Sequence, residues 1–130
     1  MICVDTCLVI DLVEEPAVWG NMVRAAFANA GQSRFGISPR ETCGCLVGPI
    51  KQQDVVLIQS YTDAFRQFEA LDMADSVHLK AAQLRVRFGI ETPDALHVAC
   101  AQHHRCEALW TNDERLALAP GGLARQVLAA

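Results

Sequence analysis

Short apolar clusters rich in β-branched residues alternate along this chain with longer stretches whose apolar positions recur every three or four residues. The first pattern predicts buried strands, the second amphipathic helices. Met1 to Val4 opens the chain as a strand, and from Thr6 to Glu14 the spacing turns helical. Pro16 allows a second helix to start, running through Ala30 with Val18, Met22, Ala25, Ala26 and Phe27 near helical spacing. Arg34 to Ser38 predicts a second strand. Pro39 then opens a helix through Leu46 and Val47 that breaks near Gly48-Pro49. Tyr61, Phe65 and Phe68 predict a helix over Val55 to Phe68, and Glu69 to Met73 a third strand. Ala74 to Phe88 reads as an amphipathic helix with Val77, Ala81, Leu84 and Phe88 on one face. Thr92-Pro93 is a helix start, a hydroxyl cap followed by proline, and the helix to about His104 is apolar enough to be buried. Ala108 to Thr111 is a fourth strand, with a short helix from Glu114. Pro120-Gly121-Gly122 forms a turn, and Leu123 to Leu128 adds a last strand or helix.

Strands alternating with helices in this way predict a mostly parallel sheet covered on both faces. The 130 residues fit one domain, 1–130, with no repeat, linker or low-complexity tract. Apolar residues make up 52% and charged residues 20%, a globular composition. No apolar run approaches the roughly 20 residues of a membrane helix. Asp5, Asp11, Glu14 and Glu15 interrupt the opening run, so a signal peptide is not expected and a cytoplasmic location is. The six cysteines are then expected as reduced thiols, with Cys3, Cys7 and Cys100 as small core residues. Cys43, Cys45, His103, His104 and Cys106 are the residue types of a zinc site, but the set lacks the paired spacing of structural sites. A formal charge of −4 has the wrong sign for gripping nucleic acid through the whole surface. A nucleic-acid substrate would have to be held locally. The Lys80, Arg85 and Arg87 group is first a solvated helix face and second a guide for RNA.

Three aspartates stand where an apolar stretch gives way to a helix start: Asp5 after Ile2-Cys3-Val4, Asp94 after Thr92-Pro93, and Asp113 after Leu109-Trp110-Thr111-Asn112. Each has a structural account, Asp5 and Asp113 as helix caps and Asp94 at the second helical position, favouring the positive end of the dipole. Together they also suit a hard divalent cation, and Asp5 and Asp113 fall by counting at the carboxyl edge of the sheet, where such folds bind ligands.

The segments Val4-Asp5-Thr6-Cys7-Leu8-Val9-Ile10-Asp11-Leu12, Ile37-Ser38-Pro39 through Val47-Gly48-Pro49, Thr92-Pro93-Asp94-Ala95-Leu96-His97-Val98-Ala99 and Leu109-Trp110-Thr111-Asn112-Asp113 resemble those of PIN-domain ribonucleases, in particular VapC-type toxins. The resemblance covers nearly the whole chain. It implies a three-layer α/β/α sandwich with a mostly parallel central sheet of four to five strands, and RNA cleavage dependent on Mg2+ or Mn2+. It also implies a homodimer held inactive by a cognate antitoxin. Residue by residue, Asp5, Asp94 and Asp113 correspond to metal-site acids, with Thr111 and Asn112 as polar neighbours of that site. Apart from the resemblance, Thr6 and Arg115 are candidates to orient the site or the substrate by position, Arg115 reading first as an exposed helix arginine and second as a phosphate contact.

One position departs from the pattern. Where the family carries a glutamate shortly before Val47-Gly48-Pro49, this chain has Gly44. Glu41 lies one turn earlier, about 4.5 Å along a helix, as a possible substitute. The glycine is either natural to a low-activity member or an introduced lesion. Metal binding and RNA cleavage are both expected to be weaker than in a Gly44→Glu variant. His97, one residue short of a full turn from Asp94, either packs with a hydrogen bond or approaches the site. Asp11 is expected to be solvated or capping; Asp72 and Asp75 are not singled out. A second reading is a non-catalytic PIN-like module whose chief partner is a protein, with an antitoxin segment along Val9, Leu12 and Trp19 and an arginine entering the acidic pocket.

Overall fold

The computed structural model describes residues 1–14, 20–119, 121 and 123–126. Five strands form one sheet: β1 (Ile2–Val4), β2 (Phe35–Ile37), β3 (Glu69–Ala70), β4 (Ala108–Thr111) and β5 (Ala124–Gln126). Every pairing is parallel, in the order β3-β2-β1-β4-β5. From β1 the chain builds outward through β2 and β3, then returns to the other side of β1 for β4 and β5. The direction of winding therefore reverses between β1 and β4. In an open parallel sheet that reversal leaves a crevice beyond the carboxyl ends of the two strands.

Alternation along the strands divides the core between the two faces. Cys3 and Leu109 point to one face, where they pack with Val77 and Ala81 of α5 (Asp75–Phe88), Ala95, Val98 and Ala99 of α6 (Thr92–His103), and Leu116 of α7 (Glu114–Ala117). Val4 and Ile37 point to the other. There they meet Leu8 and Val9 of α1 (Thr6–Glu14), Val23 of α2 (Gly20–Asn29), Cys45 of α3 (Pro39–Lys51) and Tyr61 of α4 (Val55–Phe65). The three-layer α/β/α arrangement follows. Phe27, Phe35 and Trp110 close the second face with ring centroids 4.6 to 5.7 Å apart.

Several boundaries differ from the sequence pattern. The helix opened by Pro39 does not break at Gly48-Pro49 but runs to Lys51. Pro49 has no N–H to give to the ladder, and beyond it Gln52 N–H donates to the Gly48 carbonyl at 3.0 Å. β3 stops at Ala70 because its neighbour β2 ends at Ile37, leaving nothing to pair beyond the Leu71 N–H to Ile37 carbonyl bond. Helix α4 ends at Phe65, short of Phe68. Phe88 is 46% exposed rather than on the buried face of α5, with the Arg87 guanidinium 5.1 Å over its ring. Thr92 is the first residue of α6 rather than its cap. Glu91 holds the cap position without a side-chain bond, and Asp94 is third in the helix. The tail forms a strand, β5. The proposed start of α2 at Pro16, with Val18 and Trp19, lies outside the described residues, as do Pro120 and Gly122 of the predicted turn.

Leu109 lies fully buried in the strand beside β1, so Leu109→Ala is expected to cost about 2–5 kcal/mol of stability. Val86→Ala, at an 89% exposed position, is expected to stay within about 0.5 kcal/mol. Urea denaturation of the two variants checks the contrast.

Candidate functional site

Asp5 is the residue that leaves β1 at the reversal point, and its backbone N–H still donates to the Trp110 carbonyl of β4 at 2.9 Å. Its carboxylate is 8% exposed and engaged on both oxygens. Oδ1 accepts from Thr6 N–H at 2.7 Å, and Oδ2 from the Thr111 hydroxyl at 2.8 Å and the Cys7 thiol at 3.4 Å. The fourth neighbour is the His97 ring, with Nε2 3.2 Å from Oδ1. Of the about four lone-pair directions an ionised carboxylate offers, three are met by these hydrogen bonds, with the His97 ring in contact beside Oδ1.

β4 ends in the same place. Thr111, fully buried, donates to Asp5 and accepts from Asp113 N–H at 2.9 Å, while Asn112 N–H meets the Cys7 sulfur at 3.3 Å. Asp113 itself caps α7, its Oδ1 accepting from Arg115 N–H at 2.9 Å, and Arg115 returns its guanidinium to within 3.6 Å of Oδ2. Capping, expected as the bland role of this aspartate, is therefore real. Asp94 sits half-buried in the first turn of α6, one turn before the histidine that touches Asp5.

Behind His97 lies a group that spacing arguments did not assemble. Ser38, at the end of β2, caps α3, and Glu41 closes a reciprocal capping box onto it: the Glu41 carboxylate accepts from Ser38 N–H at 2.8 Å and from its hydroxyl. Glu41 is 1% exposed, and its Oε1 lies 2.6 Å from Nδ1 of His97. The ring N–H points out of line with that oxygen, so the contact is ionic rather than a formed hydrogen bond. His97 thus spans the carboxyl edge of the sheet, reaching from α6 on one face to α3 on the other, between two carboxylates. Burial opposes charge on both partners, yet each is outweighed. The imidazole and Ser38 hold Glu41 below its ordinary range, and Glu41 and then Asp5 hold His97 above its own.

Two sequence expectations change here. Cys7, expected as a core thiol, lies in the site against Asp5, Thr111 and Asn112. Burial, then the Asp5 carboxylate, push it up to about 12, so it stays a protonated donor. Glu41 does reach toward Asp5, but through His97 and not as a free acid. The spacing Ser38-x-x-Glu41 signals the capping box; nothing in the sequence signals the histidine between.

At Gly44 a side chain would meet Thr6. A Cβ built there lies 3.0 Å from both Cγ2 and Oγ1 of Thr6. Both branches of the threonine face this position, so Thr6 must give by a few tenths of an ångström to admit a Cβ. Elsewhere, all six cysteines are free. The zinc set is divided by the sheet, Cys45 in the core on one face and Cys106 in the core on the other, with Cys43 exposed. Asp72 pairs with His104 at 3.5 Å, and Asp11 is held above its ordinary range by partial burial and then Glu14. Val9 is fully buried and so presents no surface to a partner, whereas Leu12 lines an apolar hollow of about 170 Å³ with Phe27, Phe35 and Phe68.

The family model for the PIN domain matches residues 2–121. The chain belongs to the PIN domain family. It superposes on a toxin–antitoxin complex from Klebsiella pneumoniae with a TM-score of 0.79 and 22% identity over 96% of each chain. Against VapBC2 from Rickettsia felis, bound to a DNA fragment from their promoter, the TM-score is 0.74, with 19% identity over 96% of this chain and 98% of the other. PAE2754 from Pyrobaculum aerophilum gives 0.66, with 14% identity over 96% and 83%. No curated relative matches the chain.

PIN domains are in general metal-dependent nucleases. Carboxylate oxygens are the right kind of donor for a hard cation, but this site does not present them as one. Among the described residues no three His, Cys, Asp or Glu side chains gather into a cation-holding group. The lone pairs of Asp5 already face donors. As they stand, the residues do not fit the ion.

Two expected outcomes follow from this geometry. Glu41 contributes stability above its ordinary 4.5 that is lost as pH falls through its lowered folded value. His97 contributes stability below its ordinary 6.5 that is lost as pH rises through its raised one. Urea midpoints should therefore show the chain's advantage over Glu41→Gln/His97→Gln greatest between about pH 4.5 and 6.5 and shrinking on either side. At position 44, Gly44→Ala alone should gain less than the about 1 kcal/mol that helix propensity offers, and the full gain should appear only with Thr6→Ala, as a double-mutant cycle would measure.

Proposed function

We propose that this chain is the toxin of a toxin–antitoxin pair: an endoribonuclease of the PIN type, working in the cytoplasm as a homodimer and restrained by a cognate antitoxin. Its activity is impaired because position 44 carries no carboxylate. The observation that carries the reading is the bond from Thr111 to Asp5 at the reversal point of the sheet, with Asn112 N–H on the neighbouring Cys7 and Asp113 N–H on Thr111. Ligands of open parallel sheets bind there. Likeness to the two toxin–antitoxin structures supports the biological setting.

In this reading Asp5, Asp94 and Asp113 are the acids facing the scissile phosphodiester of RNA. The same three acids would have to hold Mg2+ or Mn2+, which would supply Lewis-acid help to the hydrolysis, and the present arrangement around Asp5 is not set for that role. The chain's own groups prepare the place. Thr111 and Thr6 N–H fix the Asp5 carboxylate, and the Thr111–Asp113 backbone bond sets the loop that carries the third acid. Arg115, 77% exposed beside Asp113, is placed to meet a phosphate of the substrate.

The donors already placed on Asp5 and the missing carboxylate at Gly44 favour a second reading, in which the domain is chiefly a binding module for an antitoxin-type protein. One assay separates the two. With structured RNAs and Mn2+, slow cuts that a chelator stops and Asp94→Ala abolishes are expected, with faster cuts from Thr6→Ala/Gly44→Glu. If neither the chain nor the double variant cuts RNA, while a candidate antitoxin still binds the chain, the enzyme reading is lost and the second stands.

A further inference from the structure

α5 carries Lys80, Arg85 and Arg87 against a single acid, Asp75, in a chain of formal charge −4. The structure divides these cations. Arg85 turns its Nε to the Ile90 carbonyl at 3.2 Å and helps close the end of the helix. Lys80 and Arg87, about two turns apart on one face, instead line a hollow of about 350 Å³. Gln83, Gln102, Leu84 and Phe88 share the lining, and among the described residues no acid does.

The two cations are left without partners by the chain itself. Among the described residues neither Lys80 nor Arg87 pairs with a carboxylate, although Lys80 is half-buried. Like charges gathered in one hollow repel, and an anion placed between them offsets that repulsion. The Arg87 guanidinium is also held in place, 5.1 Å over the Phe88 ring. Stacking on an aromatic face leaves the N–H edges of a guanidinium free for an oxyanion. The opposite wall depends on a glycine. Gly121 has a φ of +98°, and a Cβ there would lie 2.9 Å from the side-chain amide of Gln102. Glycine at 121 therefore leaves that amide its place beside the cations.

An oxyanion joined to a flat apolar group fits this lining: a phosphate for the cations and amides, and a base for Leu84 and Phe88. An acidic peptide would meet the cations but bring no flat group to the apolar part. Gln102 and Asp94 lie at opposite ends of α6, about 12 Å apart along its axis. A strand of a few nucleotides spans that distance.

We propose that the hollow between α5, Gln102 and Gly121 is an accessory nucleotide subsite. It holds a phosphate of single-stranded RNA, with the base against Leu84 and Phe88, outside the acidic crevice. RNA as the occupant rests on the nuclease reading of Asp5, Asp94 and Asp113.

The test follows the anisotropy of a short fluorescent oligouridylate in the presence of EDTA, so that binding is read without cleavage. Lys80→Gln/Arg87→Gln is compared with the full chain and with Lys51→Gln/Arg66→Gln, which removes the same charge from exposed positions outside the hollow. Circular dichroism melts establish that the variants are folded. Substitution in the hollow is expected to weaken binding about tenfold and to flatten the log affinity–log salt slope by about 1.4, at about 0.7 per phosphate contact. The control pair is expected to lose less than about twofold. Equal losses in the two double variants, or no binding by the full chain, overturn the proposal. So does uridine monophosphate that binds as tightly as the oligouridylate, which assigns the hollow to a free nucleotide. An oligoglutamate of equal charge that competes as well as RNA overturns it in favour of an acidic protein segment. Should the hollow variant fail to fold, the side-chain amide signals of Gln102 in the unsubstituted chain decide. Saturable movement with oligouridylate is expected, and signals that stay fixed overturn the proposal. Cleavage assays with Mn2+ on the same samples keep the two claims separate. Selective loss of binding in a chain that never cuts RNA removes the nuclease reading and keeps the subsite. Chelator-sensitive cuts with equal binding by all three chains do the reverse.

Discussion

An ionised carboxylate buried at a sheet edge must collect donors from whatever surrounds it, and Asp5 collects them from elements far apart in the chain. Its own helix supplies Thr6 N–H and the Cys7 thiol, the neighbouring strand supplies Thr111, and a helix from the opposite layer supplies His97. Satisfying this one group therefore ties the start of α1, the register of β1 against β4 and the placement of α6 to one another. The chain extends further, because His97 is itself buried and needs its second carboxylate, which fixes Glu41 and with it the first turn of α3. All three layers are joined above the sheet by one line of alternating charge.

That line explains why the fold was more legible than the site. Elements whose identity depends on local periodicity matched closely: Thr6 to Glu14 and Ala108 to Thr111 are helix and strand over the same residues in sequence pattern and structure. Where a boundary depended on a neighbour, the pattern overreached. Glu69 to Met73 has the composition of a longer strand, but its length is set by where β2 turns into α3. Gly48-Pro49 reads as a break because local propensity is all a sequence window contains. In the structure Pro49 is buried and the helix continues around its missing donor. Phe88 fits the apolar spacing of α5 but lies near the helix end, where Arg87 rather than the core covers it.

The site divides in the same way. Asp5, Thr111 and Asp113 could be placed by counting to strand ends, and the structure brings Asp5 and the Thr111–Asp113 segment together. Cys7 could not, and Glu41 and His97 were legible only as a possible substitute acid and as a histidine that either packs or approaches the site, because their pairing comes only from contacts between segments. Cys7 follows a helix start and looks like a small core residue. His97 occupies a helix buried on nearly every side, where a packed histidine is the ordinary expectation. What makes it different is the pair of acids from two other elements, and no spacing rule connects position 97 with positions 5 and 41.

Gly44 and Thr6 show the same dependence between segments at closer range. A glutamate at 44 needs room for its first side-chain carbon, and that room is held by both branches of Thr6, on the adjoining helix. The missing acid is therefore a property of two positions. If Thr6 keeps its place, a side chain restored at 44 must strain against it before reaching Asp5. The acids on α3 consequently compete for different work. Glu41, already buried against Ser38 and His97, is committed to structure and cannot be released without leaving His97 beside Asp5 with no second anion. A carboxylate at 44 would instead be free to bind an ion, because nothing in the capping box holds it. Loss of the second acid without loss of the first leaves a site that is electrostatically complete within itself.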